Sequence, residues 1–170
     1  MAVNTYSHTS RYSLADYQVT VAIPAIGTSQ AETIVIGGPG KNGQGSCVGE
    51  ISVTRNSNLW TTEADPTGSW VHNKNLDRTG IVRINIRQVS DTVIRLIQVC
   101  TAFESADIDS TRGITITINP VLNNEAATQF ITCNDCFITK IPDQAFGSTA
   151  AEQSWEFTCG QVLFNPTLKG

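Results

Sequence analysis

The apolar positions along this chain change their period once, within GIVRINIRQVSDTVIRLIQVCT, residues 80–101. From Val82 they alternate, with Val82, Ile84 and Ile86 on one face and Arg83, Asn85 and Arg87 on the other. That is the period-two pattern of a half-buried strand. After Ser90 and Asp91 the spacing becomes Val93, Leu96, Ile97 and Cys100, a single helical stripe. Ser90 or Asp91 can cap this helix, and Asp91 suits the positive end of its dipole. The spacing predicts a helix over about residues 90–102, and no other segment carries a comparable stripe.

The remaining pattern is strand and turn. Tyr17, Val19, Val21 and Ile23 alternate with Gln18, Thr20 and Ala22 up to Pro24, and a short strand follows at 33–36. Residues 47–55 and 58–64 read as a hairpin through Asn56-Ser57, with a turn at 65–69 (DPTGS) and a short strand beginning at Trp70. Residues 104–112 form a polar connector, and Ile114, Ile116 and Ile118 then alternate with threonines. Residues 128–133 and 136–141 read as a second hairpin with Asn134-Asp135 as its two-residue turn. A loop at 142–151 leads to a long final strand at 155–164. Several strands with one helix predict a mainly β fold, an antiparallel β-sandwich or barrel with one flanking helix. The organisation expected is a polar N-terminal arm over residues 1–13 and one β domain over 14–170.

Composition agrees with this picture. Isoleucine and valine together number 30 against 7 leucines, beside 21 threonines, and β-branched side chains fit a pleated sheet better than a helix. Charged residues are 15% and the net charge is −4, so the chain has no electrostatic reason to seek nucleic acid. So few charges point to a surface covered in large part by something other than water. The N-terminus has no apolar signal region, which predicts a protein made in the cytosol. No apolar run reaches membrane-spanning length, so no membrane insertion is expected.

The candidate chemistry is sparse. Gly38, Gly40 and Gly43, with Lys41 between them, spell GxGxxG after a strand, but a dinucleotide site needs a helix to start at the third glycine. The residues after Gly43 have strand period instead, so the glycine-rich stretch 37–46 reads as a loop ordered by a partner. Cys133 and Cys136 form a CxxC flanking the expected turn. Structural zinc needs a second ligand pair, and a redox motif needs a helix N-terminus, so structural or cross-linking cysteine is the better reading. Two histidines, His8 and His72, stand near no nucleophile motif, and no paired carboxylates can be placed in a cleft. No enzyme activity and no cofactor are expected. Arg83 and Arg87 share one strand face, which is either solvated or a subunit contact or channel lining.

The ordered elements carry a resemblance. Tyr12-Ser-Leu14 with Asp16, residues 45–53 ending in Ile51-Ser-Val53, and the turn at 65–69 come first. Gly80 to Ile86, leading into Gln88 and Ser90, then precede the helix. Phe137-Ile-Thr-Lys140-Ile-Pro-Asp143 and Trp155-Glu-Phe157 complete the set, which spans about residues 12–164. The chain resembles the phage structural proteins that form the inner tail tube of contractile-tailed bacteriophages. The resemblance implies hexameric rings of this chain, stacked around a lumen through which DNA passes without sequence-specific binding. It also implies a contractile sheath, with baseplate and tail terminator proteins at the ends, in a virion tail assembled in the host cytoplasm. Copies closing into one barrel would protect strand edges such as 114–118. Six copies would carry about −24 per ring, a charge that repels passing DNA.

The five cysteines exceed that pattern, and an odd number cannot pair fully within one chain. Cys100 lies on the helical stripe and reads as a buried thiol. Cys47, Cys133, Cys136 and Cys159 are the candidate cross-links. Cys47 and the 133/136 pair are expected to bond between subunits after release from the reducing cytosol. The alternative function is a monomeric β-sandwich binding module, for instance for carbohydrate. It would need exposed aromatics on one face, and Trp60, Trp70 and Trp155 lie in separate segments. A small β-rich enzyme is a third reading.

Overall fold

The computed structural model describes residues 17–37, 48–107, 111–120 and 127–168. Among these residues nine strands and one helix run in the order β1 (Tyr17–Ile23), β2 (Glu32–Gly37), β3 (Val48–Arg55), β4 (Trp60–Ala64), β5 (Trp70–Lys74), β6 (Gly80–Arg87), α1 (Asp91–Ser105), β7 (Ile114–Pro120), β8 (Ala127–Ile138) and β9 (Glu152–Leu168). Seven strands make one antiparallel sheet in the order β2-β1-β7-β8-β9-β6-β3, and β4 and β5 pair separately. The large sheet curls into a half-barrel.

The helix forms where the period changes. Ser90 is its N-cap, the Ser90 side chain accepting from the Thr92 amide, and Asp91 stands in the first turn. Val93, Leu96, Val99 and Cys100 are buried. They join the inward residues of β1, β2, β6, β7, β8 and β9 in one core, with Trp155 and Phe157 its largest fully buried side chains. The predicted stripe is therefore the packed face. The helix runs one turn further than expected, to Ser105.

Three expectations are overturned. Residues 47–55 do not form a hairpin with 58–64. β3 pairs with β6, from Val48 opposite Ile86 to Arg55 opposite Gly80, and β4 pairs with β5. The strand β6 offers a ladder backed by buried Val82, Ile84 and Ile86, whereas β4 buries nothing. Between them the chain leaves and returns as one long arm: the Asn56 amide donates to the Thr79 carbonyl and the Asn75 amide to the Leu59 carbonyl. Its tip is the turn expected at 65–69, where the Gly68 amide bonds the Asp65 carbonyl and Gly68 has a positive φ of 88°.

Second, Asn134-Asp135 is not a hairpin turn. The strand β8 continues through it without a break, between β7 and β9. Against β7 the register slips by one residue, from Ile116 opposite Cys133 to Ile114 opposite Cys136, which is a β-bulge. Asp135 takes φ 55°, a conformation that aspartate tolerates in bulges as it does in turns. Cys133 and Cys136 would face opposite sides of a regular strand, yet both are buried. Across from them Cys159 and Val162 show the same change of phase, and both are buried too. The two strands bend together. Gly113 clears the way, since a β-carbon there would lie 2.5 Å from Asp135 Cα.

Third, β7 is interior to the sheet, between β1 and β8, so residues 114–118 are not an edge. The edges are β2 and β3.

At the start of β6 the backbone is closely packed. The Arg55 guanidinium donates to the Val162 carbonyl at 2.7 Å and stacks over Phe164, while the Val162 amide bonds the Arg78 carbonyl. A β-carbon on Gly80 would sit 2.5 Å from the Thr54 carbonyl oxygen and 2.6 Å from Val162 Cγ2. Gly80→Ala is therefore expected to destabilise the fold by about 2–3 kcal/mol through overpacking. Gly147→Ala, where nothing lies within 4 Å, should stay within about 0.5 kcal/mol of the parent. Urea titrations of the two variants check both.

Candidate assembly surface

The arm formed by residues 56–79 meets the sheet at its stem, where the Arg78 carbonyl accepts from the Val162 amide, and is open beyond it. Every residue from 58 to 78 is exposed. Among them are Leu59, Trp60, Trp70, Val71 and Leu76, with Trp60 at 53% and Trp70 at 68% exposure. The register explains how they are arranged. Trp60 lies opposite Lys74, Thr62 opposite His72 and Ala64 opposite Trp70. Directly paired residues and alternate residues share a face, so both tryptophans lie on one side of the ribbon. The Lys74 ammonium lies 5.9 Å from the centre of the Trp60 ring, and Thr62 Oγ1 and His72 Nδ1 are 2.9 Å apart. Thr61, Glu63, Val71 and Asn73 occupy the other side.

Short polar contacts fix the arm's shape. At the tip, Asp65 Oδ1 accepts from the Thr67 amide and hydroxyl and from the Ser69 amide. The Thr67 hydroxyl is the main cause that holds the Asp65 carboxyl below its ordinary value, with the backbone amides adding to it and desolvation opposing. At the stem, Asp77 accepts from the Ser57 hydroxyl at 2.6 Å and from the Thr79 amide and hydroxyl, and is lowered likewise, first by Ser57.

The residues singled out from the sequence fall elsewhere. Arg83 is exposed and its Nε pairs with Glu156 Oε2 at 2.9 Å across β6 and β9; Arg87 is exposed on the same strand face, away from the helix. Gly38, Gly40, Lys41, Gly43 and Cys47 lie outside the described residues. Cys133, Cys136 and Cys159 are brought together, not by a turn but under the bend of β8 and β9. Cys136 and Cys159 are directly opposite, with Sγ atoms 2.8 Å apart, and Cys133 touches Cys159. All three are buried, which leaves none at the surface of the chain, where the expected inter-subunit bond through the 133/136 pair would need them. Cys100 is buried on the helix, as expected, and burial together with the Glu104 charge raises its thiol to about 11. Among the described residues no group of three or more His, Cys, Asp or Glu side chains is arranged to hold a metal ion, and no helix is long and apolar enough to cross a membrane.

The arm escapes a reading of the sequence that assigns Trp60 and Trp70 to unrelated segments. Counting outward from the 65–69 turn finds it: Ala64 and Trp70 flank the turn, and Trp60 falls four residues before Ala64, on the same parity.

Comparison with known proteins places the chain in a family. A profile described as the bacteriophage PhiTE tail tube protein matches residues 12–164. The chain belongs to this tail tube family. No curated protein sequence matches it. Its fold is similar to that of solved contractile-system components. One is from a structure of the sheath/tube terminator of the PVC extracellular contractile injection system in the extended state (TM-score 0.56, 12% identity, covering 93% of this chain and 99% of that one). Another is from the tube-terminating cap of the anti-feeding prophage (TM-score 0.52, 12% identity, 98% and 100% covered). A third is from the PVC sheath-tube complex in the extended state (TM-score 0.52, 12% identity, 98% and 99% covered). At such identity the likeness is one of fold.

The Asp65 contacts set a pH dependence for the tail tube chain's arm. A lowered carboxyl means that the turn is fully stabilised above the ordinary value of 3.8 and loses that support as pH falls through the lower folded-state value. The Thr67 and Ser69 amide resonances should therefore titrate with a midpoint below 3.8, and Asp65→Asn should abolish the transition. A midpoint at or above 3.8 would mean that the turn does not form in solution.

Proposed function

We propose that this chain is the building block of a phage inner tail tube, closing into hexameric rings that stack around a lumen for the genome. The observation that carries the reading is the exposed arm, with two tryptophans aligned on one face and left uncovered by the described residues. Covering those two side chains would remove on the order of 300 Å² from water, roughly 5–8 kcal/mol per copy before the cost of association. A second support is that β2 and β3 are the outer strands of the sheet, the positions from which a ladder can extend to a neighbouring copy. The role is structural rather than enzymatic. Its partners are further copies of itself, the sheath, and the baseplate and terminator at the tube ends, in a tail assembled in the host cytoplasm. The glycine-rich segment 37–46 and the strand face bearing Arg83 and Arg87 are proposed contact or lumen surfaces. The net charge of −4 per copy favours free passage of DNA.

One observation favours the carbohydrate-binding alternative. Trp60 and Trp70 share an exposed face, although they lie in separate segments of the sequence. Against it stand the family and the lysine that already lies over the Trp60 ring.

The double variant Trp60→Ser/Trp70→Ser separates the two. Negative-stain microscopy of the parent protein should show rings or tubes. The variant should keep its circular dichroism spectrum but give no tubes, or tubes shortened several-fold. A parent that sediments only as monomer at all concentrations, even beside tail-assembly partners, would overturn the tube reading. A variant that forms tubes of normal length would remove the arm from assembly.

A further inference from the structure

We propose that Cys136 and Cys159 are a site of reversible oxidation, at which a cross-strand disulfide staples β8 to β9 beneath the bend of the sheet. The two residues are direct partners in the ladder, and their sulfurs already lie 2.8 Å apart. Directly opposed residues of an antiparallel pair have Cα atoms about 4.5–5.5 Å apart, inside the range a disulfide spans. Closing to a bond of about 2 Å requires sulfur movement of under about 1 Å. Cys133 touches Cys159, but its own partner across the ladder is Val162, on the far side of the Asn134-Asp135 bulge. Reaching Cys159 from there needs a diagonal bond. Cys136 is therefore the partner the backbone selects.

The thiols are free and buried, so the oxidant must be small, and hydrogen peroxide is the class that fits. One thiolate attacks the peroxide. The O–O bond breaks, leaving a sulfenic acid and one water once protonated. The second thiol then attacks that sulfur: the S–S bond forms, the S–O bond breaks and a second water leaves. Two thiols lose two electrons and two protons, and one peroxide becomes two waters. At Cys159 the contact with Cys133 pulls the pKa down, but the contact with Cys136, burial and the Cys136 charge outweigh it, leaving it at about 12. Thiolate at Cys159 is therefore scarce at neutral pH, and attack from that sulfur is faster in alkali. A reducing cytosol keeps the pair open while chains are made, and an oxidising exterior closes it. The bond ties together the two ends of the segment 137–158, which includes the long loop after β8, and so restricts the unfolded chain. It lies within one chain and does not depend on how copies assemble.

The test treats the full-length protein with hydrogen peroxide, then denatures, alkylates, digests and maps it against a reduced control. The expected result is a mass loss of two hydrogen atoms, two thiols no longer alkylated, and a linked peptide joining Cys136 to Cys159. On non-reducing gels the product should run at monomer mass. Its thermal midpoint should rise by about 4–16 °C and return to the starting value on reduction. Cys133→Ala should keep the linked peptide, and Cys136→Ala should lose it. Oxygen adducts without a linked peptide, a bond to Cys133 in the parent, or an unchanged midpoint with the bond mapped would each overturn the proposal. Peptide mapping of the parent decides the pairing even if an alanine variant fails to fold.

Discussion

One extra residue in β8 governs the shape of this chain. Opposite β7 the strand carries both Asn134 and Asp135 where a regular ladder has room for one. The phase of every inward-facing position changes there, and β9 changes phase with it. Without that change, Ile131 and Cys133 could not share a core with Cys136, nor Cys159 with Val162. The bulge also needs space, which Gly113 provides on the β7 side. The half-barrel, the closeness of three thiols and the covering of the concentrated Ile and Val side chains by a single helix all depend on this one local accommodation.

The bend and the helix solve the same problem. A seven-stranded sheet buries one face only if something covers it, and one helix of 15 residues is narrow for that task. Curling brings the two flanks of the sheet toward the helix. Leu96 and Val93 then reach a core that includes both β2 and β6 residues. The Arg95 guanidinium donates to Glu32 on β2 at 2.8 Å and ties the helix to that edge, although an exposed pair of this kind contributes little.

Whatever depends on local period could be read from the sequence. The strands around Val19–Val21, Val82–Ile86, Ile114–Ile118 and Trp155–Phe157 and the capped helix after Ser90 all stand in the structure, because alternation and the i, i+3, i+4 stripe report burial directly. Pairing was not legible. The neighbour of β3 is β6, some 25 residues on, and adjacency in the chain wrongly favoured β4. Asn134-Asp135 was ambiguous for a chemical reason, since the side chains that tolerate positive φ serve two-residue turns and bulges alike. The thiol cluster depended on that same distinction and was hidden with it. The family, by contrast, was legible in the order of weak local pieces spread over residues 12–164.

The arm shows a division of labour that a period-based reading cannot see. A two-stranded ribbon with no buried face is marginally stable alone, and this one buries none. Its shape rests instead on the hydrogen bonds of Asp65 at the tip and of Asp77, Ser57 and Asn56 at the stem. These contacts cost no core volume. They hold the backbone in register while leaving Trp60, Trp70 and Val71 directed outward. A ribbon ordered before it meets its partner loses less conformational entropy on docking, so more of the gain from covering those side chains remains as affinity. The core therefore serves the single chain, and the polar framework of the arm would serve the contact proposed for it with the next copy.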